Sequence, residues 1–400
     1  MSAGSRTHDK NGRDPCAPDG RWSPASPVAP WPFLVCDVRR PAAPRGHAGG
    51  GVALRVWIDL ANSPHPVLFA PIARGLSERG HDVVLTARDH AQTVELARER
   101  WDHVEVIGGP SPKSRAAKAS QLARRVRDLR AWARAKRPHI ALSHNSYAQI
   151  VAARSVGMRT VTAMDYEHQP ANHLAFRLAH RILLPDALRG STVARQGARD
   201  GKVRWYPGLK EELYLGDFRP EPDVLARLGL QCGGGEAVVV ARTPPSRALY
   251  HRRDNPLFLD AIDTAARQPN VRCIVLTRHP EQREQMALLN APNTIVPAKA
   301  IDALSLMHAA DLVVGAGGTM TREAALLGVP TVSLFAGRRP AVDAWLEERG
   351  RLRRVHAAGD LLPVVPRPRA PDDPSALRDR SAALVDLFLD AVLDRAELRR

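Results

Sequence analysis

From residue 54 onward, short runs rich in Val, Ile and Leu alternate with stretches whose apolar residues recur every three or four positions. A short β-branched run fits a strand buried on both faces, whereas the 3.6-residue period lays one apolar stripe along a helix. On that basis strands are predicted at 54–60, 82–87, 103–106, 139–143, 160–164 and 181–184. Helices are predicted at 67–79, 90–99 and within 114–136, with further helical segments between the later strands. Strands separated by helices build right-handed βαβ units on a parallel sheet. The alternation lapses over the turn-rich stretch 201–215 and at Gly233, Gly234 and Gly235. It resumes with strands at 237–241, 272–276, 294–296, 312–314 and 331–334, and helices at 256–268, 281–289, 300–308 and 319–327. The expected fold is therefore α/β, with two Rossmann-like parallel-sheet domains facing across a cleft. The expected boundaries are 53–205 for the first domain, 206–235 for a linker and 236–360 for the second. A Pro-rich linker and a last helix near 375–398 fill 361–400. Ligands of such sheets sit beyond the carboxyl ends of the strands, here in the cleft.

The opening stretch reads differently. Residues 1–50 hold 8 Pro and 6 Gly with no apolar period, so 1–52 is expected to be a disordered tail. Pro24, Pro27, Pro30 and Pro32 break the only candidate for a secretory h-region. Translation starting near Val52 is the alternative to a genuine tail. In the whole chain 44% of residues are apolar and 25% charged, enough for real cores. The four cysteines form no CxxC pair, which argues against a disulfide scaffold or structural zinc and fits a reducing cytoplasm. No apolar run approaches the roughly 18–20 residues that span a bilayer.

The most informative segment is Gly315-Ala-Gly-Gly-Thr-Met-Thr-Arg-Glu323, between a buried strand and a helix. Glycines let a ligand approach the backbone, and free amides at a helix start favour an anion, so a phosphate or diphosphate fits. Glu323 falls one helical turn after Thr319, within reach of a hydroxyl on the same ligand. A plain strand–helix turn produces the same pattern, and the residues alone leave both readings open.

This segment resembles the nucleotide-sugar signature of the GT-B superfamily, shared by many glycosyltransferases and the UDP-N-acetylglucosamine 2-epimerases. The resemblance places Gly317, Gly318 and Thr319 at a diphosphate and Glu323 at ribose hydroxyls. It also implies an acceptor-side first domain, a donor-side second domain and UDP as the nucleotide. Ala70-Pro-Ile-Ala-Arg-Gly-Leu76, Arg177-Leu-Ala-His180, Thr277-Arg-His-Pro280 and His251-Arg-Arg-Asp-Asn255 are similar to epimerase segments. A narrower resemblance rests on Ile58-Asp-Leu-Ala-Asn-Ser-Pro-His65, Leu85–Asp89, Ser143-His144, Asp165 with Glu167-His168, and residues 315–327. These recur in the bacterial and archaeal GT-B-like family known as domain of unknown function 354.

The epimerase likeness has gaps at its acids. Asn145 stands where that family has Asp, and Gln169-Pro170 replaces a Pro-Glu-Glu. Two-step proton chemistry is intolerant of lost acids and bases. A metal-independent glycosyltransferase needs only a base for the acceptor hydroxyl and cations or dipoles for the departing diphosphate. Arg242, Arg278 and His279, just beyond strands, suit the second task. His65, Asp165, Glu167 and His168 are the candidate bases and catalytic groups, and Asn62 and His144 complete the substrate-binding set. The expected partner is a nucleotide-sugar donor used as substrate, with no cofactor and no metal. Epimerisation or hydrolysis of the donor is the alternative, and a non-catalytic nucleotide or polyanion binder is the rival outside enzymes. A dinucleotide dehydrogenase is disfavoured because no strand is followed by GxGxxG.

Lys and Arg total 58 against 42 Asp and Glu, a net +16, and residues 113–137 alone hold ten basic residues and one acid, Asp128. Leu122, Val126, Leu129 and Ala133 recur there at helical spacing. Such a helix suits a solvated arginine-rich face, an anionic membrane surface with a lipid-linked acceptor, or nucleic acid. The last is the weakest, since aromatic residues make up 5% of the chain and few stacking platforms exist.

Overall fold

The computed structural model describes residues 52–110, 112, 114–230, 235–244, 256–278, 280–299, 301–367 and 375–394. Residues 1–51 of the expected tail, the whole His251–Asn255 segment and His279 lie outside the described residues. The first sheet holds β1 (Arg55–Leu60), β2 (Asp82–Ala87), β3 (Glu105–Val106), β4 (Ile140–His144), β5 (Arg159–Ala163), β6 (Arg181–Pro185) and β7 (Val203–Tyr206). Its helices are α1 (His65–Glu78), α2 (Thr93–Arg98), α3 (Arg115–Lys136), α4 (Tyr147–Arg154), α5 (Asn172–Leu178) and α6 (Glu212–Leu215). The second holds β8 (Ala237–Arg242), β9 (Val271–Leu276), β10 (Thr294–Ile295), β11 (Leu312–Gly315), β12 (Thr331–Ser333) and β13 (Arg353–Arg354). Its helices are α7 (Pro256–Ala266), α8 (Pro280–Leu289), α9 (Ala303–His308), α10 (Thr319–Leu326) and α11 (Ala341–Glu348), and α12 (Ser375–Leu393) follows.

Both sheets are wholly parallel, in the orders β3-β2-β1-β4-β5-β6-β7 and β10-β9-β8-β11-β12-β13. Each reverses direction beside its first strand, and that switch point opens the crevice where ligands bind. The expected α/β fold of two parallel-sheet domains is what the chain adopts.

Burial explains the strand pattern. Val56, Ile58 and Leu60 of β1 point to one face and pack with Leu68, Phe69 and Ile72 of α1. Trp57 points to the other and packs with Leu129 and Ala133 of α3 and Ala148 and Ala152 of α4. The Trp57 indole N–H donates to Thr86 Oγ1 at 2.8 Å. Beneath it lies Asp59, wholly buried, which takes two bonds from the Arg125 guanidinium at 2.8 and 3.0 Å and one from Thr86 at 2.6 Å. Ser146 Oγ completes the set. One buried arginine of α3 thus pins that helix to the centre of the sheet.

The last helix recrosses to the first domain. Phe388, Leu389 and Val392 of α12 join the core of α1 and β1. Gly75 of α1 makes room for them, because a Cβ there would lie 2.6 Å from Leu389 Cδ1. Arg380 pairs with Glu212 of α6 at 2.8 Å, and Arg181 of β6 reaches Asp394 at 3.0 Å.

Four elements escape the sequence pattern. β7, a four-residue edge strand, and the short helix α6 both lie in the stretch read as turns, β13 is a pair of arginines at an edge of the second sheet, and α11 follows Pro340. The segment read as a linker at 206–235 is divided between the domains. Its Leu209, Leu213 and Leu215 join the first domain's core, while Val224, Leu225 and Leu230 pack under β8 and β9.

Candidate functional site between the two domains

The geometry of the glycine loop is built by β11, the loop itself and α10. Gly315 pairs with Arg242 at the end of β8 and with Ser333 of β12. Gly317 and Gly318 then take φ of +88° and +99°, a region that side chains strain to enter. A Cβ at Gly318 would meet nothing within 4 Å, so the glycine serves the backbone path and leaves it open. Gly318 caps α10 with no side-chain hydrogen bond. The first amides of α10 therefore face outward beside Thr319, as an anion requires.

Two arginines stand next to this loop. The Arg242 Nε is buried with no hydrogen-bond partner. Burial and the neighbouring Arg278 push its guanidinium down to about 10, against an opposing pull from Glu323. Arg278 is held by its backbone N–H to Gln282 Oε1 at 2.8 Å and by Nε to the Thr243 carbonyl at 3.2 Å. Glu323 is 9% exposed and accepts the Tyr214 hydroxyl proton at 2.6 Å. Burial raises its carboxyl to about 7, although the Tyr214 bond opposes the rise.

A second group gathers in the first domain, at the carboxyl ends of β1, β4 and β5. The Ala61 N–H donates to His65 Nδ1 at 3.1 Å. Burial, His144 and Lys210 hold the imidazole well below its ordinary pKa, so it is neutral. With Nδ1 accepting, Nε2 carries the ring proton, and His65 is a donor rather than the base its position suggested. Its ring meets that of His144 edge-on, with centroids 5.5 Å apart. His144 Nε2 lies 3.3 Å from Asp165 Oδ1. Asn62 is exposed in the turn before α1, and its carbonyl accepts the His65 amide at 2.9 Å.

Asp165 is the hub. Its Oδ2 takes Lys210 Nζ at 2.5 Å and Arg322 Nη1 at 2.6 Å. Burial would raise its pKa, but Lys210, Arg322 and His144 overcome that and hold it well below the usual carboxylate range. Lys210 also pairs with Glu211 at 2.6 Å, and Arg322 with Asp343 at 2.9 Å. Glu167 Oε1 accepts the Ala341 N–H at 2.9 Å, at the start of α11 in the other domain, while its Oε2 is buried without a partner. His168 Nε2 sits 3.0 Å from the Arg339 carbonyl.

The expected residues thus form two groups. Arg242, Arg278, Gly317, Gly318, Thr319 and Glu323 gather in the second domain; His65, His144 and Asp165 gather in the first, with Glu167 and His168 clasping α11. Helix α10 joins them, because Arg322 reaches Asp165 while its neighbour Glu323 reaches Tyr214. Lys210, Glu211, Tyr214 and Asp343 were not visible as site residues. The one local signal was the charged run Lys210-Glu211-Glu212 against apolar Leu213. Among the described residues no three His, Cys, Asp or Glu side chains are placed to hold a metal ion, and no helix is long and apolar enough to cross a membrane.

Residues 54–381 match the family described as Protein of unknown function (DUF354). The chain belongs to this family. Over 320 residues the DUF354 chain is 29% identical to an uncharacterized protein of Methanocaldococcus jannaschii, covering 78% of this chain and 91% of that one. Its fold is shared with UDP-N-acetylglucosamine 2-epimerase from Rickettsia bellii, at TM-score 0.67 and 13% identity over 87% of this chain and 98% of that one. It is shared also with the 2-epimerase from Neisseria meningitidis bound to UDP-GlcNAc, at TM-score 0.62 and 14% identity over 84% and 100% of the two chains. Glycosyltransferases are among the other solved structures with this fold. The chain thus shares its fold with these 2-epimerases and glycosyltransferases.

Proposed function

We propose that the DUF354 chain binds a nucleotide-activated sugar, with UDP as the nucleotide, in the cleft and transfers the sugar to an acceptor hydroxyl. The observation that carries this reading is the unpartnered, buried Arg242 Nε beside the uncapped start of α10. A buried donor left without a partner costs stability, so a diphosphate that pairs with it accounts for its presence. The diphosphate lies on the amides of 318–320 with Arg242 and Arg278, and Glu323 takes the ribose hydroxyls. These donors stabilise the charge that grows on the departing nucleoside diphosphate. Their reach makes the transfer metal-independent, so turnover is expected to survive a chelator.

On the acceptor side, Asp165 is paired through one oxygen with Lys210 and Arg322, which hold it well below the usual carboxylate range, and is a weak base. Glu167 Oε2 has no donor on it. It takes the acceptor proton as the acceptor oxygen bonds to the anomeric carbon and the bond to the diphosphate breaks. His65 Nε2–H and His144 orient the sugar. Epimerisation or hydrolysis would use the same donor site. The gaps at Asn145 and Gln169-Pro170 weigh against the former.

The test is thermal unfolding with a panel of nucleoside diphosphates, for wild type, Arg242→Met and Glu323→Ala. A diphosphate at about 100 times its Kd stabilises by roughly 2.7 kcal/mol. A UDP-selective shift lost in both variants supports the donor site. No shift with any nucleotide sinks it and leaves a non-catalytic polyanion binder. Release of UDP from UDP-sugars, with the sugar product identified, then separates transfer from epimerisation and hydrolysis.

A further inference from the structure

Outside the cleft, the strongest unassigned feature is the outer face of the first domain. Helices α3, α4 and α5 cover it, packing on Trp57, Ile182 and Leu184. Helices α1, α6 and α12 cover the other face. The sole acid on α3, α4 and α5 is Asp128, which is paired with Arg127 at 2.8 Å. Arg124, Arg130 and Arg134 are exposed and make no ion pair among the described residues. Farther along, α4 ends at Arg154. Burial, Arg154 and Arg199 together hold the Lys202 ammonium below its ordinary pKa, so cations crowd one another across this face. The opposite face carries Asp379, Asp386 and Asp390 on α12. The arginine excess is therefore segregated across the sheet and is not a uniform coating.

Two large apolar side chains stand out on the same basic face. Leu122 is 45% exposed and Leu174 is 49% exposed. Leu174 lies in the first turn of α5 and Leu122 in the first half of α3, and a helix of a βαβ unit starts where the preceding strand ends. They therefore sit toward the cleft end of the face. The aromatic rings here are already engaged: Trp132 packs against Trp57, with centroids 5.1 Å apart, and the Tyr147 hydroxyl donates to Gln169 at 2.6 Å. Nucleic-acid bases find no free stacking platform. Cations over a broad helical face with leucines at one margin match the headgroup and acyl boundary of an anionic bilayer.

We propose that the α3–α4–α5 face seats the protein on an anionic lipid surface, with Arg124, Arg130 and Arg134 at the headgroup phosphates and Leu122 and Leu174 at the acyl boundary. The cleft end of that face, marked by the two leucines, then lies beside the bilayer surface. This deepens the transferase reading by placing its acceptor at a membrane, but the test does not use turnover, so either idea can fail alone.

The experiment is flotation of the full chain with vesicles of phosphatidylcholine alone or mixed with phosphatidylglycerol. Binding is expected to the mixed vesicles only, and to fall with added salt as screening shortens the reach of each charge. The triple variant Arg124→Glu, Arg130→Glu, Arg134→Glu is expected to bind at least about tenfold more weakly. Leu122→Asp with Leu174→Asp is expected to weaken binding while the arginines remain. Circular dichroism confirms that each variant is folded, which these exposed positions permit. Absent flotation with anionic vesicles, undiminished binding by the folded triple variant, or tighter binding to a single-stranded oligonucleotide than to the vesicles would overturn the proposal.

Discussion

Glu323 is ionisable, buried and bonded on one side by Tyr214, so its cost to the fold depends on pH. Its carboxyl titrates at about 7 in the folded chain against an ordinary 4.5. The folded state holds the proton more tightly, so the protonated group's contribution is complete below 4.5 and is lost as pH rises to about 7. The gap, about 7 minus 4.5, corresponds to roughly 3 kcal/mol as an upper figure. Glu323→Gln keeps an acceptor for Tyr214 and does not titrate. Urea unfolding should find the variant more stable than wild type at pH 8, by up to about 3 kcal/mol, and equal to it near pH 4. The same variant should bind UDP less well, because a neutral amide is a poorer acceptor for ribose hydroxyls. Equal stability at both pH values would show that Glu323 is not held in a costly ionised state. At this scale the sequence was most readable where chemistry is local. The glycines, Thr319 and Glu323 occupy one short stretch, whereas Arg322 and Asp165 are 157 positions apart and only the fold brings them to 2.6 Å.

Among the elements, α3 combines a readable and an unreadable part. Its length and apolar spacing were visible, because Leu129 and Ala133 repeat with the helical period. The role of Arg125 was hidden, since nothing in ten clustered cations distinguishes the one that turns inward to Asp59. Arg125→Met leaves that carboxylate buried and uncompensated, and should cost about 3–5 kcal/mol in chemical denaturation. Adding Asp59→Asn should recover part of the loss, since the remaining groups are neutral. A loss below about 0.5 kcal/mol for Arg125→Met would place the pair outside the supports of the sheet. The strands that went unread, β7 and β13, have little apolar pattern to read. They are edge strands of four and two residues, and their pairing is fixed by neighbours rather than by propensity.

For the whole molecule, two successive α/β series were enough to foresee two parallel sheets, yet not which pieces complete each core. Helix α12 is remote in sequence from the domain it serves, and its apolar residues carry no mark of their partner. Removing residues 375–400 strips Phe388, Leu389 and Val392 from the core around α1. A large buried side chain contributes about 1.5–3 kcal/mol when buried, so the shortened chain should lose cooperative unfolding of the first domain. Hydrogen exchange that is protected in β8 and β9 but fast in β1 and β4 would be the expected signature. Equal protection in both sheets would contradict it.

The recrossing of α12 also reverses the usual order of assembly on the ribosome. Domains of most chains fold in the order in which they emerge. Here β1 emerges early but waits for part of its cover until α12 is synthesised. Val56, Ile58 and α1 therefore stay partly uncovered throughout synthesis, while the second sheet, whose strands all precede α12, has its parts in hand first. Of the two sheets the one made first is covered last, and a chain interrupted before α12 has its first core still open.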